Sequence, residues 1–418
     1  MGEMMDLPTA FLTLPTPGEK TARALVKKVR LIAVKELLTL SAGELGPRPQ
    51  AGWTRIQSVV QRSLRSDGQA VLAAVGHPDV LPGLLSMASA LRRPSDVLPR
   101  LVPSFLASLM QEGFRPDEAM LWEHPFESFA SHGVGQVSVE GGAKSILLDA
   151  SGLAVESTDG GRINVSRGAQ GVSVSRAPIV VGPSGLGLTL SEVDSNPLAM
   201  DEAHPDKSGN AVSLGGKSVD EWVSALDEAV EIIKAALPDW ASELESTTDR
   251  LVPVGFEPEM HLSASYREAP GTVYLTLHPD PLTMAEAIIH ETQHGKLNRL
   301  SWLDPVLRNG YTAWSESPVR PDLRPVMGVL LAVHAFVPVA ALHQRLALMG
   351  HPLSRTHQFA ARRAEVLAGN AGGLDVVERM ADPTPMGAKV VEGLRIVHDY
   401  LASGFDSSSW RGDAMPPG

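Results

Sequence analysis

The stretch from Thr283 to Leu300 constrains the fold more than any other part of this chain. Thr283 with Glu286 three residues later predicts a capping box at a helix N-terminus. Apolar Ala287, Ile288, Ile289 and Leu297 predict that the helix packs inside a core. His290 and His294 stand four residues apart in it, about one turn, so both imidazoles leave the helix from one face. That spacing suits two neighbouring coordination positions on one divalent metal ion that serves catalysis, and His290-Glu291-Thr292-Gln293-His294 has the recognised His-Glu-x-x-His form.

Composition narrows the metal chemistry. The chain of 418 residues has no cysteine, which excludes disulfides, zinc-thiolate sites and iron–sulfur clusters. Any metal is held by nitrogen and oxygen. The lack of disulfides suits a reducing cytoplasm. A formal charge of −12 argues against nucleic acid or an anionic membrane as partner. The apolar run Val326 to Leu342 contains His334 and Pro338 and no second run accompanies it, so it reads as a buried core helix. The acidic N-terminus lacks the pattern of a signal peptide.

The expected fold class is α+β, mainly helical, with a small antiparallel sheet and a zincin-like metal-binding helix. Residues 1–130 read as a helical region, with apolar residues at helical spacing over Ala22–Leu40, Leu81–Leu91 and Leu101–Met110, and breaks near Pro47, Pro82, Pro94 and Pro103. Residues 131–217 read as a Gly-rich β region and loop. Short strands are predicted at Val137–Val139, Ser145–Leu148, Ile163–Val165 and Val172–Val174, with turns at Glu140-Gly141-Gly142, Asp159-Gly160-Gly161 and Gly168–Gly171. Residues 218–402 read as the metal domain. Ser218 and Glu221 form a capping box, Trp222, Leu226, Val230, Ile233 and Leu237 form one face, and Pro238 ends that helix. Strands follow at Leu251–Phe256, Met260–Ser265 and Thr272–Leu277, and after the metal helix come helices over Leu323–Met349, Ser354–Leu367 and Gly387–Leu401. Residues 403–418 read as a flexible tail.

A third ligand is sought downstream, where Asp304, Glu316, Asp322 and His334 are available. Asp322 lies in Arg320-Pro321-Asp322-Leu323-Arg324-Pro325. It reads either as a helix N-cap with flanking salt bridges or as a ligand beside a carboxylate-clamping arginine. The order of helix, strands and metal helix resembles the active domain of zincin metallopeptidases.

The run HETQHGKLNRL followed by VRPDLRPVMGVLLAVHAF also resembles the HExxH-motif family encoded beside ribosomal peptide natural-product genes. His290, Glu291, Gln293, His294, Lys296, Leu297 and Asn298 match the first block, and Arg320, Asp322, Arg324 and Pro325 the second. Thr292 departs from the aromatic common there, Leu331 stands where a histidine is common, and His334 where an aromatic is. The resemblance implies an iron(II), 2-oxoglutarate-dependent hydroxylase acting on a side chain, at Cβ, of a ribosomally synthesised precursor peptide. Two histidines and one carboxylate form the facial triad of such oxygenases, here His290, His294 and Asp322. Arg320, Arg324 and Lys296 are candidates for the distal carboxylate of 2-oxoglutarate, with Asn298 of the matched block on the cofactor side, and the bidentate fork favours the arginines. Glu291 is then a residue that orients a ligand. The alternative is a zincin-type zinc peptidase, in which Glu291 is the general base.

Overall fold

The structure is a computed structural model that describes residues 19–132, 134–165, 171–174, 177–182, 187–201, 209–317 and 320–403; the side chains of 19–22, 241–242, 317 and 320–322 lie outside that description. The tail beyond residue 403 and most of Gly168–Gly171 fall outside the described residues. The fold is α+β, as its composition of elements requires.

Among the described residues five α-helices come first: α1 (Glu19–Thr39), α2 (Pro47–Ser66), α3 (Gln69–Val75), α4 (Leu81–Ala88) and α5 (Pro94–Gln111). Pro47, Pro82 and Pro94 sit in the first turns of their helices, where the missing N–H has no intrahelical partner to lose. Pro103 corrects the expected break: it lies with Pro99 inside continuous α5, whose burial against the sheet outweighs the lost hydrogen bonds.

An antiparallel sheet follows, β1 (Met120–Ser131), β2 (Gly135–Asp149), β3 (Gly152–Ser157) and β4 (Arg162–Asn164) in that order, with β5 (Val172–Val174) added beside β2. Strand β1 begins in sequence read as helical. The turn expected at Gly141-Gly142 is a bulge within β2: both glycines have positive φ, and the β1 register slips between Phe126 and Ser128. The sheet packs on α1–α5 in one shared core containing Trp53, Phe105, Trp122 and Ile146, so the glycine-rich strands and the N-terminal helices bury the same apolar surface.

A second core lies C-terminal. Its mixed sheet runs β6 (Ile179–Val180), β7 (Thr189–Leu190), β8 (Arg250–Phe256), β10 (Thr272–Leu277), β9 (Ser263–Ala264), with β7, β8 and β10 parallel and β9 antiparallel at the edge. Helix α6 (Val219–Ala236) starts with the expected Ser218–Glu221 capping box. Pro238 opens a further helix, α7 (Pro238–Thr247), rather than a loop. Helix α8 (Pro281–Ser301) carries the histidine pair. The hairpin β11 (Trp314–Ser317) and β12 (Arg320–Pro325) leads into α9 (Val326–Leu348), then α10 (His357–Met380) and α11 (Pro385–Ala402). Among the described residues α9 is the one helix long and apolar enough to cross a membrane, and 83% of its most apolar window is buried inside the protein, so it is the centre of this core.

Helix α1 joins the two cores. Leu25 packs into the C-terminal one, while Val29, Ala33 and Leu37 pack into the N-terminal one.

Candidate metal centre

Helix α8 is buried on nearly every side, between α6 and α9 and beneath the mixed sheet. Its cap differs from the expected one. Asp280 is the N-cap, its carboxylate accepting from the backbone N–H of Leu282 and Thr283, with Pro281 in the first turn. Glu286 is thereby free of capping and points elsewhere: its carboxylate accepts from His343 Nε2 at 2.7 Å and from Arg362 Nε and Nη2 at 2.9 Å. Burial pushes the Glu286 carboxyl up, but the hydrogen bond from His343 and the charge of Arg362 outweigh it and the net shift is downward.

One turn on, His290 and His294 stand with ring centroids 4.3 Å apart at 81°. The donor atoms of His290, Glu291 and His294 all lie within 4.8 Å of one another. Neither imidazole has a hydrogen-bond partner among the described residues, and both Nδ1 atoms are sealed from solvent. Burial pushes His290 well below its ordinary range, with His294, Arg362, His261 and Arg324 adding to the effect. Burial also lowers His294, and Arg324 adds to it while Glu291 opposes it. Both rings are therefore neutral at neutral pH, the form that coordinates a metal.

Glu291 is tied to the sheet edge: Ser263 Oγ of β9 donates to its Oε1 at 2.6 Å. Its Oε2 is buried without a hydrogen-bond partner among the described residues. Orphaned buried polar atoms are costly, and here two imidazoles and a carboxylate oxygen are orphaned together. That donor set, two nitrogens and one oxygen, fits zinc or iron(II).

These groups open into a cleft of about 1240 Å³. One wall is the edge strand and its continuation, Leu262 to Arg267; the opposite wall is α9 at Gly328, Leu331, Ala332 and Phe336, with α10 at Arg362 and Glu365. Phe336 stands edge-on to His290 at 4.5 Å. Asn298 lines the cleft one turn beyond His294, and Arg324 enters from β12.

Several residues expected at the site are elsewhere. Lys296 points away from the cleft into a buried ion pair with Glu243 of α7, Nζ to Oε1 3.1 Å, where Gln293 Nε2 also donates at 3.3 Å. Two matched motif residues thus anchor α8 to α7. Asp304 accepts from the Val306 N–H and from Thr384 Oγ1, tying the α8–β11 connection to the start of α11. His334 is buried on a side of α9 that does not line the cleft, and Glu316 is exposed outside it. Arg320 and Asp322 lie on β12, but their side chains fall outside the described residues.

Sequence reasoning did not place Ser263, Glu286, His343, Phe336 and Arg362 at this centre. Helical spacing gave a signal for one of them: Glu286 lies four residues before His290 and on the same face.

No protein-family model matches the chain, and no curated protein matches it either.

Proposed function

We propose that the protein is a metal-dependent, peptide-modifying enzyme, and that it is an iron(II)- and 2-oxoglutarate-dependent hydroxylase of a side chain, at Cβ, in a ribosomally made precursor peptide. The observation that carries the metal assignment is the pair of unpartnered imidazoles, His290 and His294, donor atoms converging in an open cleft. The hydroxylase assignment rests on the resemblance of the His290–Asn298 and Arg320–Pro325 blocks, together with the arginine that the second block brings to the cleft.

In this reading His290 and His294 hold the iron, with Asp322, two residues before Arg324 on β12, as the third ligand. Bound iron, with oxygen and 2-oxoglutarate, supplies the oxidation that puts a hydroxyl on the peptide carbon. The protein's own contribution is placement. Arg324 lines the cleft and its charge acts on both histidines, which supports its assignment to the distal carboxylate of a co-substrate seated beside them. Arg362 is engaged by Glu286 through two hydrogen bonds and holds the far wall. Leu331 and Phe336 line the cleft with apolar surface that keeps bulk water from the reacting carbon. The edge strand and its continuation border the cleft and provide backbone against which an extended peptide can lie.

A second reading is favoured by one specific observation. Glu291, beside the histidine pair and oriented by Ser263, has a buried carboxylate oxygen without a partner, the arrangement a zinc peptidase uses to activate water. Peptides incubated with the protein, iron(II) and 2-oxoglutarate under air distinguish the two. Succinate release with a mass gain of one oxygen supports the hydroxylase. Peptide cleavage with zinc and without 2-oxoglutarate supports the peptidase and overturns our reading.

A further inference from the structure

Arg267 lines the same cleft but does not belong to the metal centre. It lies on the continuation of the edge strand, and it is not among the charges that act on His290 or His294, whereas Arg324 acts on both. Its guanidinium is held from two sides. Nε donates to Ser301 Oγ at 3.0 Å, and Cζ lies over the Trp302 ring, 4.2 Å from its centroid. Trp302 is fixed in turn, because its Nε1 donates to the Arg267 backbone carbonyl at 2.9 Å. Glu268 comes within 3.7 Å of Nη1, beyond hydrogen-bond range. Among the described residues the Nε–H is the guanidinium N–H with a hydrogen bond, Nη1 keeps a looser ion pair with Glu268, and the side chain, 37% exposed, lines the cleft.

Tyr311 stands beside this group. Both line the same cleft, and while burial pushes the Tyr311 phenol up, the Arg267 charge opposes it. Tyr311 is nonetheless 66% exposed, and Trp314 and Leu323, also on the cleft, are 56% and 63% exposed. The three are gathered on one cleft, and exposed apolar side chains are informative where they are grouped rather than scattered.

We propose that Arg267 is a specificity-determining residue that grips an acidic side chain of the substrate peptide, at a fixed distance from the residue modified at the histidine pair. The proposal rests on the peptide-modifying reading of the cleft. Stacking on Trp302 and the Ser301 hydrogen bond pre-set the guanidinium plane, so little side-chain entropy is lost when a carboxylate arrives. The planar fork donates to both oxygens of one carboxylate through two parallel N–H bonds, a geometry an ammonium group does not match. Tyr311 beside it offers an aromatic face to the neighbouring peptide residue.

The test is selection of a display library of random linear peptides on the full chain loaded with iron(II), kept anaerobic and without 2-oxoglutarate so that no turnover occurs. Wild-type protein is expected to enrich Asp or Glu at one position. Arg267→Gln loses that enrichment and binds an enriched peptide roughly tenfold more weakly, the size of a lost charge-assisted hydrogen bond. Arg267→Lys keeps the preference at reduced affinity. Arg267→Glu shifts the preference to Lys or Arg, an exchange that a misfolded variant does not produce. The proposal is overturned if wild type enriches no acidic residue, or if wild type and Arg267→Glu select the same residues. Selection reads binding alone, so a failed hydroxylation assay alongside a sustained acidic preference removes the assigned chemistry and leaves this contact standing.

Discussion

Ser263 and Glu291 connect the edge of the C-terminal sheet to the metal helix through a 2.6 Å hydrogen bond, and it is the one hydrogen bond that Glu291's carboxylate makes among the described side chains. Strand β9 is only two residues long. This contact therefore fixes both the edge strand and the carboxylate beside the histidines. Ser263→Ala is expected to lower stability by about 1.5–3 kcal/mol, the range for a hydrogen bond to a charged group, with metal still bound. Denaturant unfolding checks the first part and elemental analysis the second. A change of a few tenths of a kcal/mol would mean that the carboxylate finds another partner.

The two cores are joined by a buried ion pair. Arg250 Nη2 of β8 meets Asp79 Oδ1, in the connection between α3 and α4, at 2.7 Å, and both side chains are 1% exposed. Ser195 Oγ donates to the same oxygen at 2.9 Å. Removing one partner leaves a buried charge without compensation, so Asp79→Ala is expected to cost about 3–5 kcal/mol. The double variant Asp79→Leu, Arg250→Met is expected to recover a good part of that loss. Additive losses in the two single variants and the double would contradict a direct pair.

Acid sensitivity follows from four histidines whose pKa is lowered by burial, His132, His290, His294 and His398. Below about pH 6.5, the ordinary histidine value, the unfolded chain takes up protons that the folded chain refuses. Stability of the metal-free protein therefore falls as pH drops from about 6.5 through the lowered folded values, and is flat with respect to these groups above that window. Metal affinity of the folded protein falls only at the acid end of that window, as pH passes the lowered folded values, because coordination needs neutral imidazole. Urea unfolding at a series of pH values checks this, and equal stability at pH 7.5 and 5 would contradict it.

The two arginines of the cleft are expected to differ. Arg324→Ala raises the 2-oxoglutarate concentration needed for half-maximal succinate release by roughly ten- to a hundredfold, as for a lost charge-assisted contact of about 1.5–3 kcal/mol. Arg362→Ala instead strands Glu286, whose two hydrogen bonds from Arg362 are lost, and its main effect is on stability. Steady-state kinetics and denaturation of both variants check the division, and equal co-substrate effects would contradict it.

Much of this was legible in the sequence where one local rule decided the outcome. Ser218 and Glu221 form the capping box that their spacing predicts, and the period-four histidines share a helix face. Where two rules competed, reading failed. Asp280 with Pro281 displaced Thr283 as cap because the carboxylate reaches two N–H groups. Gly141 and Gly142 read as a turn, yet positive φ serves a bulge equally well. Lys296 looked like a cofactor ligand because it belongs to the matched block, but it lies two residues after His294, on the side that faces Glu243. Ser263, Arg267, Phe336 and Arg362 were not legible at all, because the cleft is assembled from β9, α9 and α10, and no local pattern encodes contacts between elements so far apart in the chain.

The most direct test of the central claim is an anaerobic crystal structure of the full chain with iron(II) and 2-oxoglutarate. The account predicts iron on His290 and His294, with 2-oxoglutarate bound to it through two oxygens and its distal carboxylate on Arg324. Metal at another site, or iron on this pair with 2-oxoglutarate absent at saturating concentration, would contradict it.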